Sequence, residues 1–344
     1  MQDKWSILKK VTSVAQLTIL RTMVEELVVL DEWPAADVVS TVDDVRSGKS
    51  PVREALRVSE YRQLIAAKAE VAGEIPESDD NFHARQIPSQ GIPGVRAVVL
   101  VKKLRHVRVQ VGFTRIESAT ANLQGEFDLA VRSAPLTLTR EWLPAAEIRG
   151  EGIFVQLDEE AVHTWETEDA TITRTEDLEA GFNRWREQKG VDMAFPDARF
   201  YLLHSMSHLL MSALSLECGY PASSLTERIF CAPHDSDLPM AGFLLMTGSP
   251  SAEGTLGGLV EEGRRLKAHL GRALEMAGLC SNDPVCAQHT PKNDLAERHL
   301  EGAACHGCLY VAESSCERFN NFLDRALVVP TLGSHGCAFF KGAA

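Results

Sequence analysis

The sequence predicts an α/β or α+β fold: a helical N-terminal region followed by a mixed α/β domain with a four-cysteine cluster towards the C-terminus. Three observations support this. Apolar residues recur at steps of three and four through Val11, Val14, Leu17, Leu20, Val24, Leu27 and Val28, the period of one helix face. From Val95 to Val101 the texture changes to a run rich in β-branched residues, as a buried strand requires. Two close cysteine pairs, Cys280/Cys286 and Cys305/Cys308, stand with eighteen residues between them.

The elements follow in order. Trp33-Pro34 ends the first helical run, and Leu56 to Ala72 reads as a second. Ile75 to Asp80 reads as an exposed linker, which places a domain boundary near residues 73–94. After the Val95–Val101 strand comes the basic run Lys102, Lys103, Arg105, His106 and Arg108, expected on a turn or helix. Gly150-Glu151-Gly152 reads as a turn feeding the buried strand Ile153-Phe154-Val155, and Glu159 to Arg186 as charged surface helix. Phe200 to Leu216 is the most apolar helix, with His204 and His208 on one face. Ser224 and Glu227 have capping-box spacing or form part of an ion pair. Phe243 to Met246 reads as a buried strand that leads through Gly254-Thr255-Leu256-Gly257-Gly258 into a helix from Leu259 to Met276. The expected regions are 1–90 (helical region and linker), 91–195 (mixed α/β), 196–330 (the cysteine-bearing domain) and 331–344 (tail).

The cysteine pairs carry the chemistry. Zinc takes four soft ligands at a tetrahedron, and two pairs presented by turns supply Cys280, Cys286, Cys305 and Cys308 without backbone strain. Five of the eight cysteines fall within 37 residues beside polar turn residues, which favours a metal site over dispersed core thiols. Cys316 is a spare candidate, and a redox dithiol at Cys305/Cys308 is the inverted reading. A closed four-thiolate site leaves no position for water, so it holds structure and performs no reaction.

Other catalytic signatures fail. His299-Leu300-Glu301 lacks the longer gap and the proline of zinc deaminases. Ser205 follows His204 where a metalloprotease needs glutamate, so His204 and His208 are expected to pack structurally. Ser47-Gly48-Lys49-Ser50 has Asp43 where a phosphate loop needs glycine, and the glycines of 254–258 match no nucleotide pattern.

With 344 residues, 44% of them hydrophobic, the chain has ample material for a core. It has no apolar run long enough for a membrane helix, and Met1 to Trp5 does not open a secretory signal, so a cytoplasmic location is expected. A formal charge of -13 excludes a surface that coats nucleic acid generally. DNA contact would be confined to local clusters, Lys102, Lys103, Arg105 and Arg108, and Arg264, Arg265 and Lys267.

Five ordered blocks between residues 95 and 330 carry a family resemblance: Gly150-Glu151-Gly152-Ile153-Phe154, Leu203 to Leu210, Ser224 to Ile229, Glu253 to Leu259, and Gly302 to Cys308 with Ser315-Cys316-Glu317 and Leu323-Asp324-Arg325 after it. The chain resembles the C-terminal portion of the DrmB subunits of DISARM antiphage defence systems, which belongs to the MrfA zinc-binding domain family. DrmB-like proteins are usually longer, so the resemblance implies a fragment or a split subunit. It also implies zinc on Cys280, Cys286, Cys305 and Cys308, an MrfA-type domain over 196–330, and an accessory role beside a separate helicase/ATPase subunit that engages DNA. On that reading the chain has no activity of its own and no membrane contact. The alternative is a metal-dependent hydrolase or nuclease that uses His204 and His208 with Glu227 or Asp235.

Overall fold

A computed structural model describes residues 7–342, apart from 25–26, 28–29, 31–32, 48–54, 75–80, 90, 111, 114–133, 135–141, 191–192, 220, 248–257, 293–297 and 335. The expected linker at Ile75 to Asp80 and most of the 254–258 glycine loop lie outside the described residues. The chain divides into two units, Met1–Ser59 and Glu60–Ala344.

The first unit contains α1 (Val14–Met23) and α2 (Ala35–Arg46). Ser13 caps α1 by accepting from Gln16 N; of the apolar positions read from the sequence, Val11, Leu17 and Leu27 join Leu8, Val39 and Val42 in its core, whereas Val14 is exposed. The expected single run from Val11 is shorter than its apolar period, because α1 ends at Met23 with Val24 in extended backbone.

Helix α3 (Leu56–Ile65) stops earlier than the expected Ala72, because β1 (Lys68–Ala69) begins a sheet. The other strands are β2 (Phe82–Ile87), β3 (Val95–Val109), β4 (Ala145–Leu157), β5 (Leu225–Ala232) and β6 (Met240–Thr247). Their order is β1-β2-β3-β4-β6-β5, with β1 and β2 parallel and every other pair antiparallel. The sheet draws strands from both sides of residues 195/196. Because β1 and β2 belong to it, the division at Ser59/Glu60 lies upstream of the 73–94 boundary expected from the sequence.

Several local readings are corrected. The basic run continues β3: cross-strand pairing runs from Val95↔Leu157 to Val109↔Ala145, so Lys102, Lys103, Arg105 and Arg108 sit on a strand. Gly150 and Gly152 lie inside β4 and do not form a turn. A Cβ on Gly150 would stand 2.2 Å from Thr247 Oγ1, so glycine here permits a close backbone approach. Glu227 is on β5, so Ser224 and Glu227 form no capping box.

Helices α4 (Glu159–Glu166) and α5 (Asp169–Lys189) replace the single charged segment, and α5 ends at Gly190 in left-handed backbone. They are not merely surface: Val162, Trp165, Leu178 and Phe182 enter the main core. Helix α6 (Asp197–Cys218) is buried on almost every face from Ala198 to Leu214, as its predominantly apolar sequence demands. It packs on β5, β6 and α8. The expected 259–276 helix is two pieces, α7 (Gly258–Gly263) and α8 (Leu266–Gly278).

Candidate metal centre

After α8 the chain makes a series of turns from Ser281 to Gln288, and a second turn follows at 306–309. These turns aim four thiols at one point. The Sγ atoms of Cys280, Cys286, Cys305 and Cys308 all lie within 4.8 Å of one another. Cys280–Cys305 is 3.5 Å, Cys286–Cys308 3.7 Å and Cys305–Cys308 3.8 Å. Four sulfurs bound tetrahedrally at zinc–sulfur distances stand about 3.8 Å apart, so the donor set fits zinc in type, number and spacing.

The turns hold the sulfurs as a metal ligand set is held. Cys280 Sγ accepts from Asn282 N at 3.4 Å, and Cys305 Sγ accepts from Gly307 N at 3.3 Å and Asn282 Nδ2 at 3.3 Å. A Cβ on Gly307 would reach 2.8 Å from Ser281 Oγ and 3.2 Å from Cys280 Sγ, so glycine lets the two turns meet. Hydrogen bonding from Cys308, with Arg325 nearby, draws the Cys286 thiol down to about 6 against its burial. Hydrogen bonding to Cys286, burial and the neighbouring thiols push Cys308 the other way. Four converging thiols cannot all ionise on their own, and a bound divalent cation removes that repulsion.

Three charged residues fix the turns, and sequence reasoning gave none of them a role. Asp283 accepts from Cys280 N at 2.9 Å and Ala287 N at 3.0 Å and pairs with Arg325, whose side chain is fully buried. Arg325 also donates to Ala277 O at the end of α8, 2.8 Å away. Asp324 accepts from Ala303 N and Ala326 N, both at 3.0 Å, and from Arg174 Nε of α5 at 2.7 Å. The signal was present in Leu323-Asp324-Arg325: Asp324 organises the second cysteine turn and Arg325 the first.

Cys316 does not join this centre. It meets His204, His208 and Glu227 in a second cluster of ligand atoms, all within 4.8 Å of one another and all in buried residues. Burial pushes the His204 imidazole down from its ordinary value. Asp235, the other acid considered, is absent from that cluster. Both histidines are fully buried, so they form no open, solvent-facing catalytic site.

Of the basic residues, Lys102, Lys103, Arg105 and Arg108 lie on β3, Arg264 and Arg265 between α7 and α8, and Lys267 on α8. Lys102 Nζ lies 2.6 Å from Glu70 Oε1, and Arg264 donates to the same carboxylate at 2.8 Å. Arg105 pairs with Glu147 at 2.7 Å and Arg265 with Glu262 at 3.2 Å. Arg108 and Lys267 are exposed, and Lys103 is partly so. The structure therefore joins the two clusters at Glu70. No helix among the described residues is long and apolar enough to cross a membrane.

Residues 206–309 match the model of the MrfA Zn-binding domain, a span that includes all four cysteines of the centre. The chain is also 35% identical, over 291 residues, to the DISARM protein DrmB of Bacillus paralicheniformis. The alignment covers 83% of this chain and 49% of that protein, so the chain spans about half the length of the curated relative it matches. A crystal structure of the DUF1998 helicase MrfA bound to DNA aligns with 63% of this chain and 23% of its own, at 13% identity and a TM-score of 0.27, too low to define the fold. The zinc expected from cysteine spacing agrees with this family match and with the geometry.

Proposed function

We propose that the chain is a zinc-stabilised accessory subunit of a DISARM-type antiphage defence complex, acting in the cytoplasm beside a helicase/ATPase and assisting it to engage DNA. The observation that carries this reading is the 35% identity to a DISARM protein along 83% of the chain. Zinc sits on Cys280, Cys286, Cys305 and Cys308, where it locks two turns onto the end of α8. Because the ligands converge only in the folded chain, zinc binding is coupled to folding of that region. The DNA-facing residues are Lys102, Lys103, Arg105 and Arg108 on β3 with Arg264, Arg265 and Lys267 on and between α7 and α8, and the partner supplies most phosphate contacts.

Two experiments test it. Cys305→Ser should lose one equivalent of zinc and lower the thermal midpoint by several degrees; full metal content with an unchanged melting curve would reject the ligand assignment. Co-purification with the products of neighbouring genes should recover a helicase whose DNA-stimulated ATPase changes when this chain is added. If the ATPase is indifferent to the chain, the accessory role is wrong even where the zinc is right.

A further inference from the structure

We propose that His204, His208, Glu227 and Cys316 form a second, closed metal site that takes a zinc-class divalent ion. His204 and His208 stand one turn apart on α6, Glu227 comes from β5, and Cys316 from the segment beyond the four-cysteine centre. His204 Nε2 lies 2.9 Å from Glu227 Oε1 and 3.1 Å from Cys316 Sγ, and His208 Nε2 lies 3.4 Å from the same Glu227 oxygen.

What surrounds these atoms points to a cation. His204 Nδ1 is 3.2 Å from Phe322 O and His208 Nδ1 is 2.8 Å from Leu309 O. A carbonyl can only accept, so each ring donates from Nδ1, and a neutral ring then presents the Nε2 lone pair to the centre. Carbonyls in this position are the usual outer partners of metal-bound histidine. Glu227 is oriented by its other neighbours: Ser207 hydrogen bonds Oε2, and Glu317 N donates to Oε1 at 3.1 Å.

Cys316 shows the same local device as the cysteines of the first centre. Its Sγ accepts from Arg318 N, two residues on, at 3.3 Å, as Cys280 accepts from Asn282 N and Cys305 from Gly307 N. Asn320 N adds a second bond at 3.2 Å, brought round by left-handed backbone at Phe319 and Asn320. Two lone pairs, a carboxylate oxygen and an amide-solvated sulfur therefore converge in a space without solvent access. One divalent ion satisfies all four donors, and nitrogen, sulfur and carboxylate ligands together suit zinc.

With every ligand fully or almost fully buried, the site has no entry for a substrate, which separates it from a hydrolase centre. Its role is to clamp. His204 and Cys316 lie outside residues 206–309, so the ion fastens the MrfA Zn-binding domain to the segments on either side of it. The two centres also adjoin, because Leu309, whose carbonyl holds His208, directly follows the ligand Cys308.

The inference does not depend on the defence reading and is tested on the full chain without variants first. Metal analysis should give about two equivalents of zinc, and X-ray absorption at the zinc edge should give a mixed shell of sulfur and nitrogen or oxygen with imidazole scattering. One equivalent in an all-sulfur shell would overturn the proposal. Among variants, Cys316→Ser and His208→Gln should each lose about one equivalent and leave an all-sulfur shell, while Cys316→Asp, which keeps a ligand, should retain more of the second ion. A Cys316→Ser protein that keeps two equivalents and the mixed shell also overturns it.

Discussion

At the residue scale, two charged pairs decide how the cysteine turns stand. Arg325 and Asp324 are both fully buried and each has a charged partner, Asp283 and Arg174 respectively. Removing one member of such a pair leaves the other charge uncompensated in the core, which costs about 3–5 kcal/mol. Asp324→Ala and Arg325→Ala should therefore lower the unfolding midpoint in denaturant strongly and weaken zinc retention, measured by release to a chelator. A midpoint within experimental error of the wild type would show that the turns do not rely on them. Glu301 behaves differently. Desolvation raises its carboxyl from 4.5 to about 7, with Arg298 opposing only in part. The folded state thus holds the proton more tightly than the unfolded chain does, so Glu301 costs nothing below about pH 4.5, and stability is lost as pH rises from there through 7. At about 1.4 kcal/mol per unit, Glu301→Gln should raise stability at pH 8 by about 1–3 kcal/mol and leave it unchanged at pH 4. Denaturant titrations at the two pH values, with zinc present, read this directly; an equal effect at both would remove the proton from the account.

At the element scale, the sheet explains why separated sequence blocks belong together. Glu151, in the middle of β4 and almost fully buried, accepts from Leu259 N at 2.9 Å and Val260 N at 3.3 Å. Its carboxylate thus satisfies the opening amides of α7, where negative charge is favoured. Glu151→Ala should cost about 3 kcal/mol by stranding those donors, and Glu151→Gln, which keeps an oxygen, about 1 kcal/mol. Faster hydrogen exchange confined to α7 in the alanine variant is the accompanying signature, and unaltered exchange there would contradict the role. This contact also shows what the sequence could and could not reveal. Local periodicity identified α6 and the strands around Val95–Val101 and Phe243–Met246, because each is apolar enough to announce its own burial. Cysteine spacing identified the four thiols, because ligand pairs on turns are local. The course of β3 through Lys102 to Arg108 was hidden, since charged residues on a strand edge imitate a solvated turn until the partner strand is known. The pairing of Glu151 with α7, of Asp324 with Arg174, and of Cys316 with two histidines joins residues roughly a hundred or more positions apart. Composition and spacing carry no information about such partners.

At the scale of the whole molecule, the question is how a chain of formal charge -13 could serve DNA. Binding to phosphate releases counterions only where lysine or arginine is available, and here Lys102, Arg105, Arg264 and Arg265 already face carboxylates. Lys102 and Arg264 share Glu70, whose carboxyl is held down to about 2 chiefly by hydrogen bonding from Arg264 and then Lys102. Arg105 likewise shares Glu147 with Arg149. At those four residues a phosphate must displace a carboxylate before it gains a partner, and the isolated chain should bind duplex DNA weakly, with a dependence of log K on log salt of about -2 to -4, as for a few phosphate contacts. Reversing charge with Lys102→Glu and Arg105→Glu should reduce that binding and the DNA-stimulated ATPase of the assembled complex while leaving assembly intact. The discriminating variant acts in the opposite direction: Glu70→Gln frees Lys102 and leaves Arg264 with Glu261 alone, at 3.1 Å, and should tighten DNA binding several-fold at low salt. Salt titrations of fluorescently labelled duplex by anisotropy measure all three. Tight, salt-insensitive binding by the wild-type chain, or no gain from Glu70→Gln, would place the DNA contact elsewhere than on this surface of β3 and the start of α8.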